Sequence, residues 1–514
     1  MKKQTTKTIL LGSVLTATLV GCAGGGTASQ STSTSSGKKI QESIIVKGVT
    51  IVNTVNGQLQ ANMALMIDGG KISKIIPADA VGEQGSKRVI DATGKYVVPG
   101  YLDMHAHVLG RPFAKEVSAV MLAYGITGYR QMSGTEEQLK DRKENKLRMP
   151  DDSPELLGLA GEMLNRANAP TAEAAVALVE RDRKAGADFV SVGDVAPSVF
   201  FAALTESKKV GDYFAGNIPV GVDAEEAAKQ GMLSMESLGP VDTILISCST
   251  NEDSVRKSLI GETKNSATTE SIKLAEANPL LVRLMANQNA FLKTRTIIDT
   301  YSESKCKKLT ETLVLQKSWQ VPTLARNQAM MLADKSQYAN NADLKFISRD
   351  QRAFWTEVSA KFAKTVKPVA RETLRQLTAM DMKLVKLFDK QGVKMLTGTD
   401  LGGVWVVPGA SLHEEFEQLA KAGVSPLKVL QMTTLNGAEF LGKRSTMGTV
   451  EVGKNANLVL LDADPTDDVG NMKKINAVIR DGKFYSEEML EVLKKNAAEK
   501  MASGSAPEDS GLVH

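Results

Sequence analysis

Between Tyr101 and Gly442 this 514-residue chain repeats one device, a helical stretch, a glycine and a short apolar strand. Thr171 to Lys184 has helical spacing and stops at Gly186, in the left-handed position that closes helices, before the strand Asp188 to Val192. Ala196-Pro197-Ser198 opens the next helix, Gly211 ends it, and Tyr213-Phe214-Ala215 follows as a strand. Asp223 caps Ala224 to Lys229, Gly231 closes that helix, and Met232 to Met235 is the next strand. Short strands separated by helices of this length indicate a parallel sheet. The expected fold is α/β, a (β/α)8 TIM-type barrel, whose chemistry sits at the carboxyl ends of the strands.

The flanks read differently. Ile44 to Val46, Thr50 to Val52, Ala64 to Ile67 and Lys71 to Ile76 are short strands, with Asp68-Gly69-Gly70 a strong hairpin signal. Gly448 to Lys454, Leu458 to Asp462 and Ala477 to Lys483 repeat the pattern near the other end. Each set is too small to bury a core alone. Residues 43–98 and 443–486 are therefore expected to share a discontinuous β-sandwich flanking a barrel at 99–442. Stretches 242–319 and 326–389 read as long helical insertions, and 487–514 as a helix with a loose polar tail.

Lys2, Lys3 and Lys7 precede the apolar run Thr8 to Val20, which is short for a membrane span and reads as a signal segment. It ends in Leu19-Val20-Gly21-Cys22, which resembles a bacterial lipobox. The resemblance implies cleavage before Cys22 and acylation of its thiol and new amine. Ala23, where an aspartate would favour the inner membrane, points to the periplasmic face of the outer membrane. Residues 23–42 form a small, polar tether, so the membrane is met through the lipid alone. Cys248 and Cys306 are the remaining cysteines, and sequence does not decide whether they pair. With 63 Lys+Arg against 59 Asp+Glu and no basic stripe, nucleic-acid binding has no support.

Four histidines occur in the whole chain, and two stand one residue apart in Pro99 to His107. Residues i and i+2 of a strand share a face, so His105 and His107 set two imidazoles side by side, as one divalent cation requires. Val393 to Asp400 is a second apolar strand ending in an acid.

These stretches, with Ile90 to Tyr101, Leu412 to Phe416, Ser425-Pro426-Leu427 and Gly448 to Asp462, resemble the amidohydrolase superfamily, in particular its imidazolonepropionase- and prolidase-like branch. The likeness covers roughly residues 45 to 485. It implies a metal-dependent hydrolase of carbon–nitrogen bonds, acting on an amide, cyclic amide or dipeptide-like small molecule, with homo-oligomers common among relatives. It also implies six ligands: the first-strand His pair, a carboxylated lysine or glutamate after the fourth strand, single histidines after the fifth and sixth, and an aspartate after the eighth. His105, His107 and Asp400 match, whereas Ser191, Asn217 and Ser237 stand at the other three posts. A serine forms no bridging carbamate, and an amide oxygen is a poor zinc ligand beside imidazole. The remaining set predicts at most one divalent metal, zinc by ligand type, weakly bound or absent, with Asp400 as ligand or general base.

Asp194, Glu236 and Glu414 are the nearby acids able to substitute in either role. His413, at the start of the helix after the eighth strand, reads as a structural cap, and His514 as part of the tail. Arg130 suits a substrate carboxylate or a structural ion pair, Thr323 the pocket mouth, and Trp405 a pocket wall or an apolar anchor. Two outcomes stay open on these grounds: a hydrolase, or an inactive pseudoenzyme binding a small molecule or partner in the cell envelope.

Overall fold

The structure, a computed structural model, describes residues 43–82, 87–239, 243–260 and 269–504. The signal segment, Cys22 and His514 lie outside them.

Helix-separated strands do run parallel. Tyr101–Ala106, Ile126–Gln131 and Glu155–Leu159 form one parallel set, and Phe189–Val192, Tyr213–Gly216, Ser234–Glu236 and Trp319–Val321 a second. A parallel bridge from Ala160 to Phe189 joins the two sets, and another from Gln320 to Met395 adds the segment 394–397 in eighth place. Met104 N–H donates to Thr397 O (2.9 Å), which brings that segment back against the first strand. This curled parallel arrangement is consistent with a TIM-type barrel. One set of side chains fills its interior, including Leu102, Met104, Leu157, Trp319, Val321 and Leu396. The opposite faces, such as Ile126, Val190, Phe214 and Met235, meet the surrounding helices.

The stop signals act as expected. Gly186 and Gly211 take left-handed conformations at helix C-termini, and the Asp223 carboxylate accepts from the first amides of Ala224–Lys229. Gly69 and Gly70 both adopt positive φ in the hairpin between Leu59–Asp68 and Lys71–Pro77. The two segments 44–46 and 50–52 are one strand, Ile44–Val52, whose register shifts around Gly48.

Strands from both chain ends share one eight-stranded mixed sheet, where the sequence suggested a sandwich of two. Its order is Lys483–Ser486, Ile475–Arg480, Leu458–Leu461, Tyr96–Pro99, Ile44–Val52, Leu59–Asp68 and Lys71–Pro77, with Arg88–Asp91 also paired to Ile44–Val52. Alternation gives this sheet two buried faces. Ile44, Val46, Leu65, Val97, Leu458 and Ile479 build its own core, while Val52, Val98, Val459 and Val478 join the barrel core.

The described residues of both long insertions are mainly helical, among them Phe291–Asp299, Glu303–Leu315, Arg349–Thr365 and Pro368–Gln391. Cys248 and Cys306 pair as a disulfide across the first, with Cα atoms 4.5 Å apart. No helix among the described residues is long and apolar enough to cross a membrane.

Gly216 ends the fifth strand at φ 129°, and a Cβ there would lie 2.2 Å from the Val192 carbonyl oxygen. Backbone cannot yield as a side chain can, so Gly216→Ala is expected to destabilise by about 2–4 kcal/mol. The check is the urea unfolding midpoint, and an unchanged midpoint contradicts the strand packing described.

Candidate metal centre

Asp400 and the first-strand histidines come together through backbone pairing. Asp400 N–H donates to His105 O (2.8 Å), and Thr399 N–H and Oγ1–H donate to the Asp103 carboxylate (3.0 and 2.7 Å). Asp400 itself has φ 50°, and Ser237 (57°) and Thr323 (46°) also adopt left-handed backbone just past the sixth and seventh strands. Such conformations persist only where the surroundings enforce them, and they cluster at functional sites.

His105 Nε2 lies 3.4 Å and His107 Nε2 3.5 Å from the same oxygen, Asp400 Oδ1. The three ligand atoms all lie within 4.8 Å of one another. Ligands on a tetrahedral zinc at roughly 2.0–2.1 Å stand about 3.3 Å apart, so the spacing suits one ion with a position left open.

Each imidazole is oriented from behind. His105 Nδ1 pairs with Glu236 Oε2 (2.9 Å), and His107 Nδ1 with Ser133 Oγ (3.0 Å). Glu236 is fully buried, and its other oxygen accepts from Ser234 Oγ (2.5 Å) and Arg130 Nη2 (2.7 Å). Of the three substitute acids, Glu236 alone reaches the centre, behind His105. Asp194 pairs with exposed Arg166, and Glu414 accepts from Ser411 and Asn341.

Burial opposes charge on His105, but Asp400 and Glu236 outweigh it and raise its pKa from 6.5 to about 9. Burial lowers the pKa of His107, with Asp400 acting against it. Burial also disfavours ionised Asp400, yet Arg326 and then His105 hold its carboxyl well below the usual range. Burial likewise opposes ionised Glu236, and Arg130 overrides it.

Two arginines the sequence reading passed over frame Asp400. Arg326 Nε stands 2.5 Å from Asp400 Oδ2 as an ion pair, its N–H not aligned as a hydrogen bond. Arg111 donates to His107 O and to Leu401 O (2.8 Å), tying together the two loops that carry the ligands. Gly402 and Gly403 make room for them: a Cβ would lie 1.8 Å from Arg111 Nη2 and 2.9 Å from Arg326 Nε respectively.

For the other candidates the structure decides between the readings left open. Arg130 is fully buried, bonded to Glu236, Ser234 and Met104 O between the Phe189 and Phe440 rings, so it is a structural ion pair that no substrate carboxylate reaches. Trp405 is an apolar anchor rather than a pocket wall: 4% exposed, it donates to Ala333 O (2.8 Å) and packs on Trp355. His413 does not cap its own helix: it is buried, with Nε2 on the carbonyl oxygen of Tyr124 (2.9 Å), the residue that closes the helix Ala114–Ala123, and burial lowers its pKa to about 4. Thr323 is also buried, and its hydroxyl donates to Ser237 Oγ (2.9 Å), so those two residues support each other at the rim. Ser191 lies in the fourth strand on the side of inward-facing Phe189, and Asn217 directly follows the fifth.

Residues 339–485 match the amidohydrolase family. A dihydroorotase of Pelotomaculum thermopropionicum is 38% identical over 65 residues, which is 13% of this chain and 14% of the relative, so the chain spans about one seventh of that protein's length. Among solved structures, a Xaa-Pro dipeptidase with methionine in its active site aligns over 87% of this chain and all of its own (TM-score 0.58, 16% identity). A bottromycin amidohydrolase aligns over 90% of this chain and 93% of its own (TM-score 0.64, 19% identity). At these identities the likeness is one of fold.

The helix Leu324–Met331 that carries Arg326 is held at its N-terminus by buried Glu415, whose Oε2 accepts from Ala325 N–H (2.8 Å). Burial raises the Glu415 pKa from 4.5 to about 8. The folded state therefore retains a proton that the unfolded chain releases near pH 4.5. The stability this gives is complete below that value and is lost as pH rises through about 8. Urea midpoints are expected to fall between pH 5 and 8 in wild type and more shallowly in Glu415→Gln, which keeps an acceptor oxygen; parallel profiles refute the assignment.

Proposed function

We propose that the protein hydrolyses carbon–nitrogen bonds in small amides, cyclic amides or dipeptide-like compounds, using one divalent metal, zinc by ligand type, held by His105, His107 and Asp400. The supporting observation is that two imidazole nitrogens and one carboxylate oxygen share a single-ion spacing at the strand ends. When bound there, such an ion polarises a carbonyl and acidifies water.

The chain's own residues do the rest. His105 Nδ1–H donates to Glu236 in this pairing, so Nε2 is the nitrogen an ion would take, and Arg130 keeps Glu236 ionised for that task. His107, disfavoured as a cation by burial and steadied by Ser133, presents Nε2 in the same way. Asp400 Oδ1 touches both imidazoles, and the carboxylate, held ionised beside Arg326, serves either as third ligand or as acceptor of a water proton, one role at a time. Ser191, Asn217 and Ser237 supply no charge at the posts where relatives of this kind carry further ligands, which favours a single ion.

Protein equilibrated with micromolar zinc should bind one equivalent of metal, measured by elemental mass spectrometry against the free ion, and His105→Ala and His107→Ala should not. On a panel of N-acyl amino acids, cyclic amides and dipeptides, Asp400→Asn should cost about 10²–10⁴-fold in rate. Wild type free of metal at micromolar zinc and silent across the panel sinks the reading.

We also propose anchoring at Cys22 in the outer membrane, facing the periplasm. The Cys248–Cys306 disulfide fits an oxidising compartment. Labelled palmitate should enter the wild-type protein and not Cys22→Ser; equal labelling rejects the anchor.

A further inference from the structure

Asp400 serves two cationic sites at once. Its Oδ1 faces the two imidazoles, and its Oδ2 lies against Arg326. Arg326 is held in place rather than loosely draped: it is 9% exposed, sits in the first turn of Leu324–Met331, and donates to Glu276 O (3.3 Å) and Met330 Sδ (3.5 Å). The glycine at position 403 leaves the room its guanidinium occupies. The second nearby arginine, Arg111, spends its donors on the carbonyls of His107 and Leu401, so Arg326 is the one in ion contact with Asp400.

A carboxylate carries one unit of charge. With that unit already matched by a fixed guanidinium, a divalent ion entering between the imidazoles gains less from Asp400 and is repelled by Arg326. Under water-like screening, a unit charge about 5 Å from a divalent ion changes its binding about tenfold, and burial enlarges the effect.

Building on the single-ion reading above, we propose that Arg326 is a resident counter-cation that neutralises Asp400 in the empty centre and competes with metal for it. The centre then loads one ion weakly and exchanges it readily. Arginine suits the part because its guanidinium stays charged at every physiological pH, so the competition cannot be relieved by losing a proton.

The test compares wild type, Arg326→Met and Arg326→Lys after chelator treatment, by zinc titration calorimetry and by melting temperature with and without zinc. Arg326→Met removes the charge at similar length, and Arg326→Lys retains it. Arg326→Met is expected to bind zinc at least about tenfold more tightly, while Arg326→Lys stays within about threefold of wild type. Without metal Arg326→Met should melt below wild type, having lost the partner of Asp400, and its melting temperature should rise further on zinc addition.

Equal or weaker zinc binding by Arg326→Met, with the chain folded, overturns the inference and leaves Arg326 a support for Asp400. A wild-type protein that binds zinc yet hydrolyses nothing defeats the hydrolase reading and leaves this one standing. Absence of zinc binding in all three proteins removes both.

Discussion

One backbone seam makes the centre possible. The segment 394–397 pairs with Gln320 on one side and meets Met104 on the other, and just past it Asp400 N–H bonds to His105 O. Residues nearly three hundred positions apart thus become neighbours through main-chain bonds, which specify position more tightly than flexible side chains do. The Asp103 carboxylate reinforces the seam by accepting both the amide and the hydroxyl of Thr399. Without these few bonds His105, His107 and Asp400 are unrelated polar residues.

Much of this was legible because the signals are local. Helix-ending glycines, caps and alternating strands announce parallel units wherever they occur, and Gly186, Gly211 and Asp223 act as their chemistry dictates. The His pair and Asp400 were readable as strand ends carrying ligand chemistry. Arg326 was not: a charged residue in a long helical insertion reads as a solvated face, and its role exists only once the seventh strand lies beside the eighth segment. Arg130 failed as a substrate ligand for the complementary reason. Its partner Glu236 lies over a hundred residues away, and nothing local announces that both are buried. The single sheet was also hidden, since alternation says which residues point inward but not which strands are neighbours.

The two ion pairs near the centre differ in kind. Arg130–Glu236 is sealed inside the barrel, where separating the partners would strand a charge away from water, so it acts as fixed scaffolding for His105. Arg326–Asp400 lies at the rim, where Asp400 is 20% exposed. The sealed pair keeps an imidazole in one orientation, and the rim pair sets how strongly the carboxylate is available. A centre with few ligands depends more heavily on both, because each remaining group carries a larger share of the attraction for a cation.

The disulfide between Cys248 and Cys306 has a different reach. It joins the two ends of the first insertion, close to where the chain leaves the sixth strand and before it enters the seventh. A peptide bond hydrolysed anywhere inside that span would leave the halves of the molecule still linked through sulfur. The link between the sixth and seventh strands then depends on redox state as well as on the integrity of the polypeptide.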